Sequence, residues 1–333
     1  MILLTGGTGF IGSHVAVELL LNGYKVVLLD NFSNSSPSVV ECITNISGTA
    51  PVLVCGDIKD RKLLDRIFSK HSIQGVMHFA GLKAVGDSCN NPLLYYGENF
   101  SGTCNLLEVM RDAGVFNFVF SSSATVYKSS NTMPLTEGSD VGGQSNPYGR
   151  TKAFVEEALF DLGASDPRWS IAILRYFNPI GAHHSGLLGE SPNGVPNNLV
   201  PYISQVLTGR LEKLKVFGND FETLDGTGVR DYIHIEDLAA GHVKAFEYIQ
   251  FSKGVNLWNL GTGRGYSVLE VIEAFERITG KPVPYEFAPR RAGDVAKCWA
   301  DPSRAFADLN WSASRQLDEM VRDAWRWAQL NVK

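Results

Sequence analysis

Tyr148 and Lys152 stand four residues apart in Tyr148-Gly149-Arg150-Thr151-Lys152, a spacing that puts a phenol and an ammonium on one face of a helix. A free phenol has a pKa of about 10, so making it a base at neutral pH takes a shift of roughly 3 units, on the order of 4 kcal/mol. A neighbouring cation favours the phenolate. Taken alone, such a pair reads as a surface cation laid over an aromatic ring. Here it follows Phe118-Val119-Phe120-Ser121-Ser122-Ser123, an apolar run ending in hydroxyls at what would be the carboxyl edge of a sheet. That edge is where doubly wound folds bind ligands.

A second constellation lies at the start of the chain. Thr5-Gly6-Gly7-Thr8-Gly9-Phe10-Ile11-Gly12 spells G-x-x-G-x-x-G between a predicted strand, Ile2 to Thr5, and a predicted helix, Ile11 to Leu21. Glycines are needed where the chain turns sharply, where a phosphate must approach the backbone, and where helix and strand pack closely. The helix N-terminus then offers free N–H groups and a positive dipole end to a pyrophosphate. Asp30 ends the second predicted strand, 18 residues after Gly12, where a carboxylate accepts hydrogen bonds from the adenosine ribose. A 2′-phosphate would meet that carboxylate as a like charge, so the cofactor reads as NAD rather than NADP. Asp57, after a third strand, is placed to meet the adenine edge.

The elements that would position these groups follow from periodicity. Short apolar runs at Lys25 to Asp30, Pro51 to Val54, Gly75 to Phe79, Phe118 to Phe120 and Ile171 to Arg175 read as strands of the kind buried on both faces. Helices are predicted over Arg61 to Lys70, Leu93 to Arg111 and Tyr148 to Leu162. The alternation implies an α/β fold, a doubly wound parallel (Rossmann) sheet. From Asn178 to Asn198 the chain turns irregular, with Pro179, Pro192 and Pro196, a length of loop that is more often functional than structural. Beyond it are predicted helices at Leu199 to Leu207, Glu236 to Ile249 and Gln316 to Leu330. Strands are predicted near Lys215 to Phe217 and over Asn256 to Leu260, and Ser267 to Glu270 has the pattern of a capping box. The division is therefore residues 1–177 for the cofactor and the Ser/Tyr/Lys group, and 178–333 for a smaller substrate-binding subdomain with some elements returning to the first.

Composition narrows the class. The 333 residues are 44% hydrophobic and 20% charged, with a net charge of −5, which argues against nucleic acid and anionic membranes as partners. No apolar run reaches membrane-span length, and the start Met1-Ile2-Leu3-Leu4 lacks the basic flank of a signal peptide. Cys42, Cys55, Cys89, Cys104 and Cys298 form no C-x-x-C pair and the seven histidines show no ligand spacing, so no metal is expected. An odd count of cysteines without an export signal fits reduced thiols in the cytoplasm.

With these residues in place, the chain resembles the extended short-chain dehydrogenase/reductase superfamily and, within it, the UDP-glucose (UDP-galactose) 4-epimerases over nearly its full length. The match is carried by Thr5 to His14, Asp30-Asn31, Phe79 to Gly86, Phe120 to Tyr127, Asn146 to Lys152, Leu174 to His183, Pro196 to Ile203 and Asp225 to Ala239. The resemblance implies a reaction in which NAD takes hydride from C4 of a UDP-sugar while a tyrosine takes the hydroxyl proton, before hydride returns to the opposite face. It implies Tyr148 as base, Lys152 as its tuning cation and Ser123 at the sugar oxygen. Gly6, Gly9, Phe10, Ile11, Gly12, Asp30, Asn31, Asn34, Ser35, Asp57, Ile58, Phe79, Ala80, Gly81, Lys83, Asn99, Ser121, Tyr148, Lys152 and Tyr176 would bind the cofactor. The UDP-sugar would be held by Ser123, Tyr148, Asn178, Asn198, Leu199, Phe217, Arg230, Arg291, Asp294 and Cys298. A homodimer through the Leu93 to Arg111 and Tyr148 to Leu162 helices is also implied.

Departures from the family pattern are local. Ser36 stands where relatives often carry a lysine near the adenosine ribose, and Lys128 replaces a glycine. Cys298 stands where epimerases restricted to unacetylated sugars have a tyrosine, so room for a 2-acetamido group is expected. Against that, Cys298 reads equally as a small buried hydrophobe, and Arg230 as a structural ion pair with an acid such as Asp231. A nucleotide-sugar 4,6-dehydratase would need carboxylates after the hydroxyl cluster, where this chain has Ala124-Thr125-Val126. A decarboxylase fits the second-half blocks less well, and a non-catalytic NAD-binding regulator could dispense with Tyr148 and Lys152.

Overall fold

The computed structural model describes residues 1–333 apart from Pro192, Asn193, Val195, Ala292, Val332 and Lys333. The fully buried run Ile2–Thr5 forms β1 and passes through the glycine loop into α1 (Phe10–Leu21). Alternation continues through β2 (Val26–Asp30), α2 (Val39–Ser47), β3 (Val52–Cys55), α3 (Arg61–Lys70) and β4 (Gly75–His78). Next come α4 (Val85–Asn90), α5 (Pro92–Tyr95), a π-helical turn over Tyr96–Ser101, α6 (Gly102–Asp112), β5 (Asn117–Ser123), α7 (Pro147–Ser165) and β6 (Ser170–Tyr176). The second half adds β7 (Asn178–Ile180), α8 (Leu199–Leu207), β8 (Leu214–Phe217), β9 (Val229–His234), α9 (Ile235–Ile249) and β10 (Gly254–Leu260). It ends with β11 (Gly265–Ser267), α10 (Val268–Thr279), β12 (Tyr285–Ala288), β13 (Lys297–Cys298), α11 (Ser303–Leu309) and α12 (Leu317–Leu330).

Seven parallel strands form one sheet in the order β10-β6-β5-β4-β1-β2-β3. Strand order reverses between β1 and β4, and at that switch point the carboxyl ends of neighbouring strands open a crevice. Both faces are covered. Val15, Leu19, Leu238 and Phe246 of α1 and α9 pack on one, and Leu64, Leu106, Met110, Val155 and Leu159 of α3, α6 and α7 on the other. A third core lies among α8, α10 and α12, where Ile203, Phe275 and Val321 meet, beside a small sheet in which β9 is flanked by β11 and β13 and also pairs with β7. The capping box at the start of α10 is formed, Glu270 N donating to Ser267 Oγ and Ser267 N to Glu270 Oε2.

Three local expectations need correcting. The run at Pro51 to Val54 is not buried on both faces, because β3 is the sheet edge and its first and last residues are exposed. The helix expected over Leu93 to Arg111 is interrupted by the π-turn, which carries Asn99 inward. Three helices, α2, α4 and α11, and the strands β7, β9, β11, β12 and β13 form where none was expected, being too short or too polar for apolar periodicity to show. Among the described residues no helix is long and apolar enough to cross a membrane.

Candidate active site

The glycine loop is built by close backbone approach. Gly6 adopts φ +66, and a Cβ there would lie 2.7 Å from Ala80 N; a Cβ on Gly12 would lie 2.4 Å from the Gly6 carbonyl. Gly9 begins α1 with no side chain capping it, so the helix presents its first N–H groups to the crevice while Phe10 and Ile11 pack on the core. A pyrophosphate suits such a helix start, and a side chain at Gly6 or Gly12 would strike the backbone that shapes it.

Asp30 is buried and already bonded. Its Oδ2 accepts from Thr8 N at 3.0 Å, and its Oδ1 from Phe32 N and Ser35 Oγ at 2.9 Å each. Thr8 Oγ1 donates to Ser35 Oγ, so Thr8, which the sequence did not single out, ties the glycine loop to the loop after β2. Asn31 Nδ2 donates to Asp57 Oδ2 at 3.0 Å, closing the same end of the crevice, while Asn34 is exposed on the loop and Ile58 is buried against Gly102. On the far side of β1, Phe79 N donates to the Thr5 carbonyl. Gly81 has φ +150, and Asn99 of the π-turn clamps the loop there: Leu82 N donates to its Oδ1 at 2.7 Å, and its Nδ2 donates to the Leu82 carbonyl and to Thr151 Oγ1. A π-turn of this kind re-aims one side chain inside a helix.

Asn146 and Pro147 begin α7 in the ordinary way, the Asn146 side chain accepting from Gly149 N at 2.9 Å and proline taking the first helical position. Tyr148 therefore sits in the first turn and Lys152 one turn on. Lys152 Nζ donates to the Ser121 carbonyl at 2.6 Å and lies 6.0 Å from the centre of the Tyr148 ring. Burial pulls the Lys152 ammonium down to about 8, the charge of Glu156 opposing. Burial also raises the Tyr148 phenol above its ordinary value, a bond from Ser123 pulling the other way. The lysine by itself therefore does not offset the burial of the phenol. Ser121 Oγ bonds the Tyr176 hydroxyl.

Beneath these groups is a charged pair that motif reading missed. Glu156, one turn beyond Lys152, and Arg175, at the end of β6, are each 3% exposed. Arg175 Nε donates to both carboxylate oxygens at 2.9 and 3.2 Å, Ser122 donates to the same carboxylate, and the guanidinium lies 4.7 Å from the Tyr127 ring centre. Burial pulls the Arg175 guanidinium down, but its bonds to Glu156 outweigh this and hold it above its ordinary value. The i, i+4 spacing of Lys152 and Glu156 was the available signal.

In the second half, β9 and β13 bring Arg230 and Cys298 side by side in register. Arg230 does not pair with Asp231, whose carboxylate is taken by Thr262, Gly263 N and Ala300 N. It faces Asp294 instead, Nη2 to Oδ1 at 4.0 Å; Arg291 Nε donates to Asp294 Oδ2 at 3.1 Å and stacks 4.8 Å from the Phe217 ring centre. Two guanidiniums around one carboxylate and an aromatic face can hold a diphosphate and a planar base. Cys298 is packed with Tyr127, Ala153 and Phe177, and burial pushes its thiol up to about 11. Asn178 is exposed at the start of β7, and Asn198 and Leu199 begin α8. His183, His184 and Glu236 converge although the sequence spacing hides it, and Glu236 is bonded there by His184 N and lies 2.6 Å from Arg315 Nη2.

Residues 3–324 match the family profile described as GDP-mannose 4,6 dehydratase. The chain is 55% identical over 331 residues to the UDP-glucose 4-epimerase of Bacillus subtilis, covering 99% of this chain and 97% of the relative. Among solved structures it is similar to the UDP-glucose 4-epimerase of Bifidobacterium longum in complex with NAD+ and UDP, with a TM-score of 0.97, 49% identity, and coverage of 99% of this chain and 98% of that one. It is also similar to that of Stenotrophomonas maltophila with bound NAD and formylated UDP-arabinopyranose, with a TM-score of 0.96, 50% identity and the same coverage.

Proposed function

As the chain belongs to the UDP-glucose 4-epimerases of the extended short-chain dehydrogenase/reductase superfamily, we propose that it interconverts UDP-glucose and UDP-galactose with NAD as its resident cofactor. The observation that carries this is the convergence of Tyr148, Lys152 and Ser123 at the end of β5, beside a glycine loop that leads into an uncapped helix N-terminus suited to a phosphate. To that cofactor we assign the residues named above, from Gly6 to Tyr176. When bound, NAD accepts hydride from the sugar C4, returns it to the opposite face, and supplies positive charge beside the phenol.

The chain's own groups do the rest. Tyr148 takes the 4-hydroxyl proton and gives it back, Ser123 holds the same oxygen, and Lys152 fixes the phenol's surroundings from its anchor on the Ser121 carbonyl. On the substrate side Asn178, Asn198, Leu199, Phe217, Arg230, Arg291 and Asp294 hold the UDP, leaving the hexose free to turn over between the two transfers. The functional division is residues 1–177 for cofactor and base and 178–333 mainly for UDP. The absence of carboxylates at Ala124-Thr125-Val126 speaks against dehydration, although the matched family profile carries a dehydratase's description. Incubation with UDP-galactose should form UDP-glucose with no net NADH release; binding without interconversion would refute the reading.

The small side chain of Cys298 beside Arg230 supports a pocket that also takes UDP-GlcNAc and UDP-GalNAc. Cys298→Tyr should keep the plain hexoses as substrates and lose the acetylated pair; equal loss of both would sink the idea. An apolar face with Leu93 84% exposed, together with Leu94, Phe154 and Phe160, supports a homodimer through α5 and α7. Light scattering should give twice the chain mass, falling to one for Leu93→Asp. Five free cysteines, Cys55 and Cys89 exposed, support a cytoplasmic location, which fractionation of cells would check.

A further inference from the structure

Glu190 belongs to none of the motifs above, yet its Oε1 accepts from Lys83 Nζ at 2.8 Å and from Asn198 Nδ2 at 3.1 Å. One donor comes from the loop after β4 and the other from the N-terminus of α8, so a single carboxylate oxygen joins the cofactor side of the crevice to the substrate side. The Asn198 side chain makes no cap bond to its own helix and is free to reach outward. Glu190 is held firmly in place. The chain before it folds back, Ala182 bridging Gly189 and His183 N donating to the Leu188 carbonyl. Gly189 lies against the Trp327 ring, where a Cβ would sit 2.5 Å from Cγ, and Trp327 Nε1 donates to the Glu190 carbonyl at 3.2 Å. The side chain of Glu190 is only 11% exposed.

A carboxylate fixed between an ammonium and an amide takes up donors of the kind an anionic ligand uses. We propose that Glu190 is a positioning residue that acts as an internal anion, holding Asn198 and competing with the diphosphate of the substrate for it. This rests on the reading of Asn198 as a UDP contact. Its consequence is opposite to that of an ordinary binding residue. A diphosphate must displace the carboxylate from Asn198 and then lie near a like charge, so Glu190 weakens nucleotide affinity and favours release.

The test is calorimetric titration of UDP into the NAD-loaded protein. Glu190→Gln keeps the shape and removes the charge, and UDP should bind about three- to tenfold more tightly, the scale of one modest hydrogen-bond exchange, with the KM for UDP-galactose falling in parallel. Asn198→Ala should weaken UDP binding, and adding Glu190→Gln to it should give a smaller gain than in the parent. If Asn198→Ala binds UDP like the parent, the assignment of Asn198 fails and the proposal with it. If Asn198→Ala weakens binding but Glu190→Gln leaves affinity unchanged or lowers it, the competition is overturned and the site stands. A lowered Tm for Glu190→Gln with unchanged affinity marks a purely structural contact and also overturns it.

Discussion

Arg175→Met strips the guanidinium from a carboxylate that is 3% exposed and has only Ser122 left to bond it. Glu156 then has two courses in the folded variant, to stay ionised with only the Lys152 ammonium one turn away as counter-charge or to take up a proton. The second sets the ceiling. Protonating a carboxyl at pH 7 when its ordinary pKa is about 4.3 costs about 1.4 kcal/mol for each of roughly 2.7 units, close to 4 kcal/mol. Lost stacking on Tyr127 adds about 1 kcal/mol. The variant should therefore lose about 3–5 kcal/mol at pH 7, the range for breaking a buried pair. A protonated Glu156 has a folded pKa raised above its unfolded value, so the folded variant binds the extra proton and is stabilised relative to the parent as pH falls. The penalty should shrink by about 1.4 kcal/mol per unit between pH 7 and pH 5. Glu156→Gln behaves differently, because an arginine cannot shed its proton in this range, and its penalty should not shrink. Urea denaturation of the parent and both variants at pH 7, 6 and 5 measures this. A penalty for Arg175→Met below about 1 kcal/mol, or one that does not change with pH, would refute the argument.

Tyr148→Phe should lower interconversion by at least about 100-fold while leaving UDP affinity within a factor of two, checked by product formation and calorimetry. The Lys152 ammonium, pulled down to about 8 by burial, is present below that pH and lost above it. Activity should decline as pH rises through this value, and Lys152→Met, slower throughout, should lack that limb; a flat parent profile to pH 10 counts against the role. Gly12→Ala sets a Cβ 2.4 Å from the Gly6 carbonyl, and the purified protein should carry less than about a tenth of the parent's cofactor by absorbance, the scale of a 1–2 kcal/mol clash.

The strands of the large sheet were readable because a parallel strand covered on both faces must be apolar throughout, as in Ile2–Thr5 and Val26–Asp30. The edge strand β3 deceived for the same reason, since its sequence is apolar although one neighbour is missing. In β9, Val229–His234, polar groups are buried because Asp231 is satisfied by backbone N–H groups of the turn after β10, a contact that sequence alone does not encode. The glycine loop and the Tyr148–Lys152 pair were legible because glycine and Y-x-x-x-K spacing are demanded by local geometry. Thr8, Glu156 and Glu190 were not, because each acquires its partner from a distant element: Ser35, Arg175 and Lys83 respectively. The π-turn also escaped, since one extra residue per turn leaves no compositional mark.

The pairing of β10 with β6 along Ser170–Tyr176 bears on how the chain is made. Strand β6 finishes at residue 176, but its outer neighbour leaves the ribosome only after a further 78 residues. Throughout that interval the nascent chain carries an apolar strand with an open hydrogen-bonding rim, a template for pairing with other chains. The first 177 residues should therefore not mature on their own during synthesis, and a fragment ending near residue 177 should precipitate where one reaching past Leu260 stays dispersed. Chaperone demand should peak in that window of translation.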